Sequence, residues 1–166
     1  MNIPNVEADL ACIARQEQQL QFAHFDRQVA WELGCRLKQA AERAGGALAI
    51  EIRVARHTLF HYEMAGTTPV NSDWARRKRN LVELQHRSSY AIGLQLARDG
   101  QTLEGKLGLP TRDYASHGGS FPLYVRDTGC IGTITVSGLP QRRDHQLIVD
   151  VLADYLGAAE AGLALD

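Results

Sequence analysis

A chain of 166 residues, 45% apolar and 22% charged, can bury about 70% of its unfolded surface around one core, so no disulfide or metal staple is required. The formal charge of -1 and pI near 6.6 exclude a global attraction to nucleic acid or acidic membranes, both of which need clustered positive charge. Cys12, Cys35 and Cys130 lie far apart, form no C-x-x-C pair and leave one over, so no disulfide framework is expected and the expected location is the cytoplasm. The start, MNIPNVEADL, carries acids where a signal peptide needs a basic start and an apolar run. No stretch approaches the roughly 18 apolar residues of a membrane span.

Val6, Leu10, Ile13 and Ala14 fall at the spacing of one helical face, which predicts a helix from Asn5 to Gln19 with Asn5 as cap. A short extended piece, Leu20 to Phe25, leads to Asp26. That residue caps a second helix with Ala30, Leu33, Gly34, Leu37, Ala41 and Ala44 on its apolar face, ending at Gly45-Gly46. Trp31 lies at the edge of this stripe and could fill either the core or an interface.

Leu48, Ile50, Ile52 and Val54 alternate with polar or small residues, and Phe60, Tyr62 and Met64 share one side of the next segment. The pattern predicts a hairpin. Ser72 or Asp73 then offers a cap for helical sequence reaching Arg98, with Trp74, Leu81, Ile92 and Leu96 toward the core. Ser88-Ser89 and Gly93 weaken that pattern enough to allow two successive helices.

After a glycine-rich connection, Asp99 to Pro110, the span Asp113 to Gln146 holds a glycine pair, a strand with Phe121, Leu123 and Val125, a turn at Asp127-Thr128-Gly129, and a return strand Cys130 to Val136. A final helix, about Gln141 to Leu156, starts at Asp144 or slightly earlier at Pro140 and turns Leu147, Ile148, Val151, Leu152 and Tyr155 inward. The expected fold is one α/β (α+β) domain over residues 1–166: two hairpins forming an antiparallel sheet, with helices packed against it.

His117-Gly118-Gly119-Ser120 could hold a ligand, because glycines let the backbone approach closely and His117 titrates near neutral pH; a tight turn entering a strand is the plain alternative. Neither G-x-G-x-x-G nor a P-loop is present. His57 and His61 have metal-ligand spacing for a helix, but on a strand they sit about 13 Å apart and cannot chelate one ion. With no H-E-x-x-H and no Cys/His cluster, no intrinsic metal site is expected. His117, His86, His145 or Tyr114 could each offer haem an axial ligand, although no C-x-x-C-H motif occurs. Ser120, Ser137 or a cysteine as nucleophile lacks a G-x-S-x-G elbow, and no catalytic residue is identified. In the basic run Arg76 to Arg79, successive residues point about 100° apart on a helix, so they read as a solvated face. Lys78 is the exception, sharing a side with Trp74 and Leu81.

S-H-G-G-S-F-P (Ser116 to Pro122), G-C-I-G-T-I-T-V-S-G-L-P (Gly129 to Pro140) and D-H-Q (Asp144 to Gln146), with W-A-R-R-K (Trp74 to Lys78) and Ser88-Ser89, carry a resemblance. The chain resembles the haem-degrading family of GlcG-like and HbpS-like proteins, most of all its cytosolic uncharacterised branch. The resemblance implies a profilin-like fold, a homo-oligomer and a small-ligand pocket near the glycine motif, with haem as a candidate ligand; it transfers no reaction. The leading reading is a cytosolic oligomeric protein that binds a small ligand, haem or another tetrapyrrole among the candidates, at His117 to Ser120 with Arg126, Asp144 and Lys78 nearby. The alternatives are a haem-degrading enzyme and a module that only builds a homo-oligomer. Neither nucleic acid nor membrane is an expected partner.

Overall fold

The computed structural model of the chain describes residues 5–159 and 161–165. In chain order the elements are α1 (Val6–Gln19), β1 (Gln21–Phe22), α2 (Arg27–Ala44), β2 (Ala49–Val54), β3 (His57–Glu63), α3 (Pro69–Gln85), α4 (Ser89–Arg98), α5 (Leu103–Leu107), β4 (Ser120–Val125), β5 (Gly129–Ser137) and α6 (Gln141–Tyr155). The fold is mixed α/β: one five-stranded sheet in the order β1-β4-β5-β2-β3 with helices on both faces. The two expected hairpins are present and join antiparallel through β5 and β2, with Ile52 opposite Ile134 and Ile50 opposite Val136. The short extended piece after α1 adds β1 parallel to β4, pairing Gln21 with Tyr124, so the sheet is mixed rather than wholly antiparallel.

One face of the sheet is apolar. Ile50, Ile52, Phe121, Leu123, Ile134 and Val136 are fully buried there against Leu33 and Leu37 of α2 and Ile148 and Leu152 of α6. The register places Glu51, Arg53, Thr133, Thr135 and Ser120 on the other face, which α3 covers. That face is polar, and it is buried as well. Arg79 of α3 meets Glu51 through two bonds of 2.8 and 3.1 Å, and the Ser120 and Thr135 hydroxyls bond each other at 2.8 Å. Buried polar groups are retained where partners satisfy them.

Asn5 and Asp26 cap α1 and α2 as expected, and Gly45 closes α2 with φ of 70°. Three helical details differ from the sequence expectations. Ala14 of α1 is exposed, while Gln16 and Glu17 take the buried side because each finds a bond there: Gln16 to His145 and Leu163, Glu17 to Arg87 and the Ser88 amide. The first long helix after the hairpin begins at Pro69 rather than near Ser72, because Thr68 and Asn71 form a capping box and Pro69 needs no amide partner. The break before α4 lies at His86, in the left-handed region with φ of 53°, and Ser88 caps the new helix. Gly93 does not break the chain; it lies inside α4. The Asp99 to Pro110 connection contains the short helix α5. No helix among the described residues is long and apolar enough to cross a membrane.

Candidate functional site

The glycine motif lies where β4 begins, between the middle of α3 and the start of α6. Gly118 and Gly119 are buried. A Cβ on Gly118 would stand 2.2 Å from the Gln141 carbonyl oxygen, and one on Gly119, whose φ is 123°, 2.5 Å from that of Val136. Both glycines therefore serve packing against α6 and β5. Their backbone is also committed: the Gly118 amide donates to Gln141 Oε1 at 3.2 Å, and the Gly119 carbonyl accepts from the Val136 amide at 2.7 Å. Ser120 is fully buried and shares bonds with Ser89 and Thr135.

Behind the glycines lies a buried ion pair. Lys78 is 4% exposed and Asp144 is 1% exposed, and Lys78 Nζ donates to Asp144 Oδ2 at 2.9 Å. Asp144 also accepts from the amides of Gly138 (3.3 Å) and Leu139 (3.0 Å), and Lys78 reaches the Val136 carbonyl at 3.3 Å. Desolvation pushes the Lys78 ammonium down and the Asp144 carboxyl up, and each opposes the shift of the other. Satisfied on both sides, the pair clamps α3, the end of β5 and the start of α6 together. It faces the packed glycines, not a cavity.

His117 is exposed, unlike its neighbours in the motif. Its ring meets Trp74 edge-on with centroids 4.9 Å apart, and the Arg77 guanidinium lies 4.3 Å from the centroid of the same indole. Partial desolvation, with the Lys78 and Arg77 charges, holds the imidazole below its ordinary pKa, so it is neutral at pH 7. His117 and Arg77 are the ionisable lining of a cavity of about 310 Å³ whose walls include Leu96, Leu103, Tyr114 and Ser116. The loop beneath it is fastened to α3: Arg77 Nε donates to the Thr111 carbonyl at 2.9 Å, Asn80 to that of Asp113 at 2.9 Å, and the Ala115 amide to the Arg77 carbonyl at 3.1 Å. A Cβ on Gly93 would come within 2.0 Å of the Ser116 oxygen, so α4 carries glycine there to let the loop seat.

The structure thus separates residues that the sequence grouped. His117 reaches a cavity. Lys78, Asp144, Gly118, Gly119 and Ser120 form its buried support. Arg126 is exposed beyond the far end of β4, about 20 Å from Ser120 at the rise of a strand. The arginines of the basic run are not a solvated face either: Arg76 pairs with Asp73 and Asp113, Arg77 stacks on Trp74 and Arg79 holds Glu51, while Lys78 turns inward as expected and holds Asp144. Arg77 and Ser116 are cavity residues that no candidate reading included, although the Trp74–Arg77 spacing of three on a helix was a readable signal for the first; Tyr114, weighed as a haem ligand, also lines the cavity. Of the other histidines weighed as ligands, His145 is fully buried between Tyr90 and Phe121, and His86 caps α3 at the surface. Among the described residues no group of three or more His, Cys, Asp or Glu side chains could hold a metal ion.

A family model described as "Haem degrading protein HbpS-like" matches residues 25–153. The chain belongs to the HbpS-like haem-degrading family. Relatives called UPF0303 proteins are 54% identical over 153 residues in Serratia proteamaculans, covering 92% of this chain and 95% of that one, and 56% identical over 162 residues in Azotobacter vinelandii, covering 98% of both. Among solved structures, the Ybr137w protein superposes with a TM-score of 0.83 at 25% identity, covering 99% of this chain and 92% of that one. A double-mutant HbpS of Streptomyces reticuli (TM-score 0.64, 22% identity, 82% and 90% covered) and a haem complex of PduOC (TM-score 0.64, 19% identity, 75% and 89% covered) share the HbpS-like fold.

Haem is the group this family suggests, and the His117 cavity can be tested against it. A volume of 310 Å³ is at the small end of the range of about 300–1,000 Å³ in which ligand pockets fall, and a tetrapyrrole is a large ligand. Of the four ligand candidates only His117, which stands against Trp74 at the surface, and Tyr114 line the cavity; His145 is in the core and His86 outside the lining. Within one chain these residues do not enclose a macrocycle.

Proposed function

We propose that this protein binds a compact organic anion with an apolar body in the His117 cavity, and that it works as a homo-oligomer in the cytoplasm. The observation that carries the reading is the pairing of Arg77, held over Trp74 at 4.3 Å from the ring centroid, with a neutral His117 beside mainly apolar walls. A guanidinium so fixed presents donors to a carboxylate without first being ordered, and a neutral imidazole adds one donor or acceptor. The Lys78–Asp144 clamp lies behind the site and keeps α3 and the glycine turn in register. Three free thiols support the reducing compartment.

The test is a titration of the purified protein with a series of aliphatic and aromatic carboxylates and with haemin, followed through Trp74 emission and calorimetry. Saturable binding of a carboxylate is expected, weakened tenfold or more by Arg77→Gln and by His117→Ala with thermal unfolding of both still cooperative. Absence of saturable binding, or wild-type affinity in both variants, would sink the reading. Tight haemin binding that neither variant alters would move the ligand site away from this cavity.

A further inference from the structure

We infer that the groove between α2 and α6 is the surface through which two copies of this chain pair about a two-fold axis. The inference names the surface for the proposed assembly and is independent of the ligand reading at His117.

The groove has a volume of about 950 Å³ and runs along the outer faces of two antiparallel helices: Arg36 of α2 pairs with Asp154 near the end of α6, while Arg43 and Arg143 line it toward the opposite ends. Its charges are sorted by position. Glu32 and Asp154 lie toward the start of α2 and the end of α6, where Arg36 pairs with Asp154, and Asp150 lies one turn nearer the middle. Arg43 and Arg143 lie toward the other end, are exposed, and have no ion-pair partner among the described residues. A two-fold axis through the middle of the groove exchanges its ends, so that each acidic end meets a basic end twice over.

Shape follows the same arrangement. At the acidic end stands Trp31, 60% exposed and resting on Phe60 with centroids 6.0 Å apart. At the basic end the lining is small or recessed, with Ala40, Ala44 and Leu139. Trp31 and Ala44 are separated by about 20 Å along the helix, at a rise of 1.5 Å per residue. The exchange that matches the charges therefore also sets each Trp31 over the partner's alanine floor, in the manner of an aromatic anchor filling a recess. An unpaired indole on a monomer has no such explanation in the core, which α2 fills with Leu33 and Leu37.

Charge reversal combined with mass measurement tests the pairing. Arg43→Glu places like charges against Glu32 of the partner, and Glu32→Arg does the same against Arg43, the two positions being spaced about the axis as Trp31 and Ala44 are. Each variant alone is expected to halve the mass seen by light scattering, and so is Trp31→Ala, with thermal unfolding of each variant still cooperative. Mixing the two charge variants is expected to restore the wild-type mass as a one-to-one complex, because every contact then joins opposite charges. A wild-type protein that is monomeric at tens of micromolar overturns the inference and the proposed assembly together. A wild-type oligomer whose mass all three variants leave unchanged overturns the inference alone, and so does a mixture that fails to associate. In none of these cases is the carboxylate titration affected.

Discussion

Replacing Lys78 by Met keeps most of the side-chain stem but removes the ammonium from a site where Asp144 is 1% exposed. The carboxylate keeps its bonds from Gly138 and Leu139 but loses its side-chain partner. Breaking one side of a buried pair costs about 3–5 kcal/mol, since the other charge stays desolvated. For a chain of this size that loss lowers the melting temperature by roughly 6–20 °C. The cost also depends on pH. Desolvation already raises the Asp144 carboxyl against the opposing pull of Lys78, so without the lysine it rises further. A carboxyl with a folded pKa above its unfolded value takes up a proton on folding, and stability then falls as pH rises through the raised value. The variant's deficit should be largest at pH 7 and shrink toward pH 5. Urea and thermal unfolding at both pH values measure it; a deficit below 1 kcal/mol at pH 7, or one that does not shrink with acid, would refute the claim that the pair is buried and charged.

His145 is fully buried, its Nε2 hydrogen-bonds Gln16 Oε1 at 2.8 Å, and burial pushes its pKa down to about 3. A depressed folded pKa means the unfolded chain binds more protons, so wild-type stability should fall by about 3 kcal/mol between pH 6.5 and pH 4, and His145→Leu should flatten that slope in urea unfolding. Gly93→Ala forces a methyl against the Ser116 oxygen; a stability loss of about 1–3 kcal/mol and weaker carboxylate binding should appear together in calorimetry. Arg126→Ala, beyond the far end of β4, should leave both melting temperature and ligand affinity unchanged, and a loss of binding there would relocate the site.

Much of the fold was legible because periodicity and capping are local. Asp26 before an apolar stripe and Gly45 after it mark α2, and the alternation in Leu48 to Val54 and in Phe121 to Val125 marks strands, since side chains on neighbouring residues must point to opposite faces. The arginines of the basic run failed as a solvated face because the partner of each, Asp113, Trp74 or Glu51, is supplied by another turn or another element. Alternation does not tell which polar face is wet: Thr133 and Thr135 alternate with Ile134 and Val136 on β5, and all four are fully buried.

The sequence by itself determined the elements, the hairpins and the family motif, because caps, turns and side-chain period depend on residues only a few positions apart. Only the tertiary structure decided what the motif does. It turned Gly118 and Gly119 into packing against α6, paired Lys78 with Asp144 across 66 positions, removed Arg126 to the far end of a strand and left His117 facing a cavity with Arg77. Those outcomes depend on which helix lies over which face of the sheet, and no local pattern encodes that, because burial is shared between residues distant in the chain.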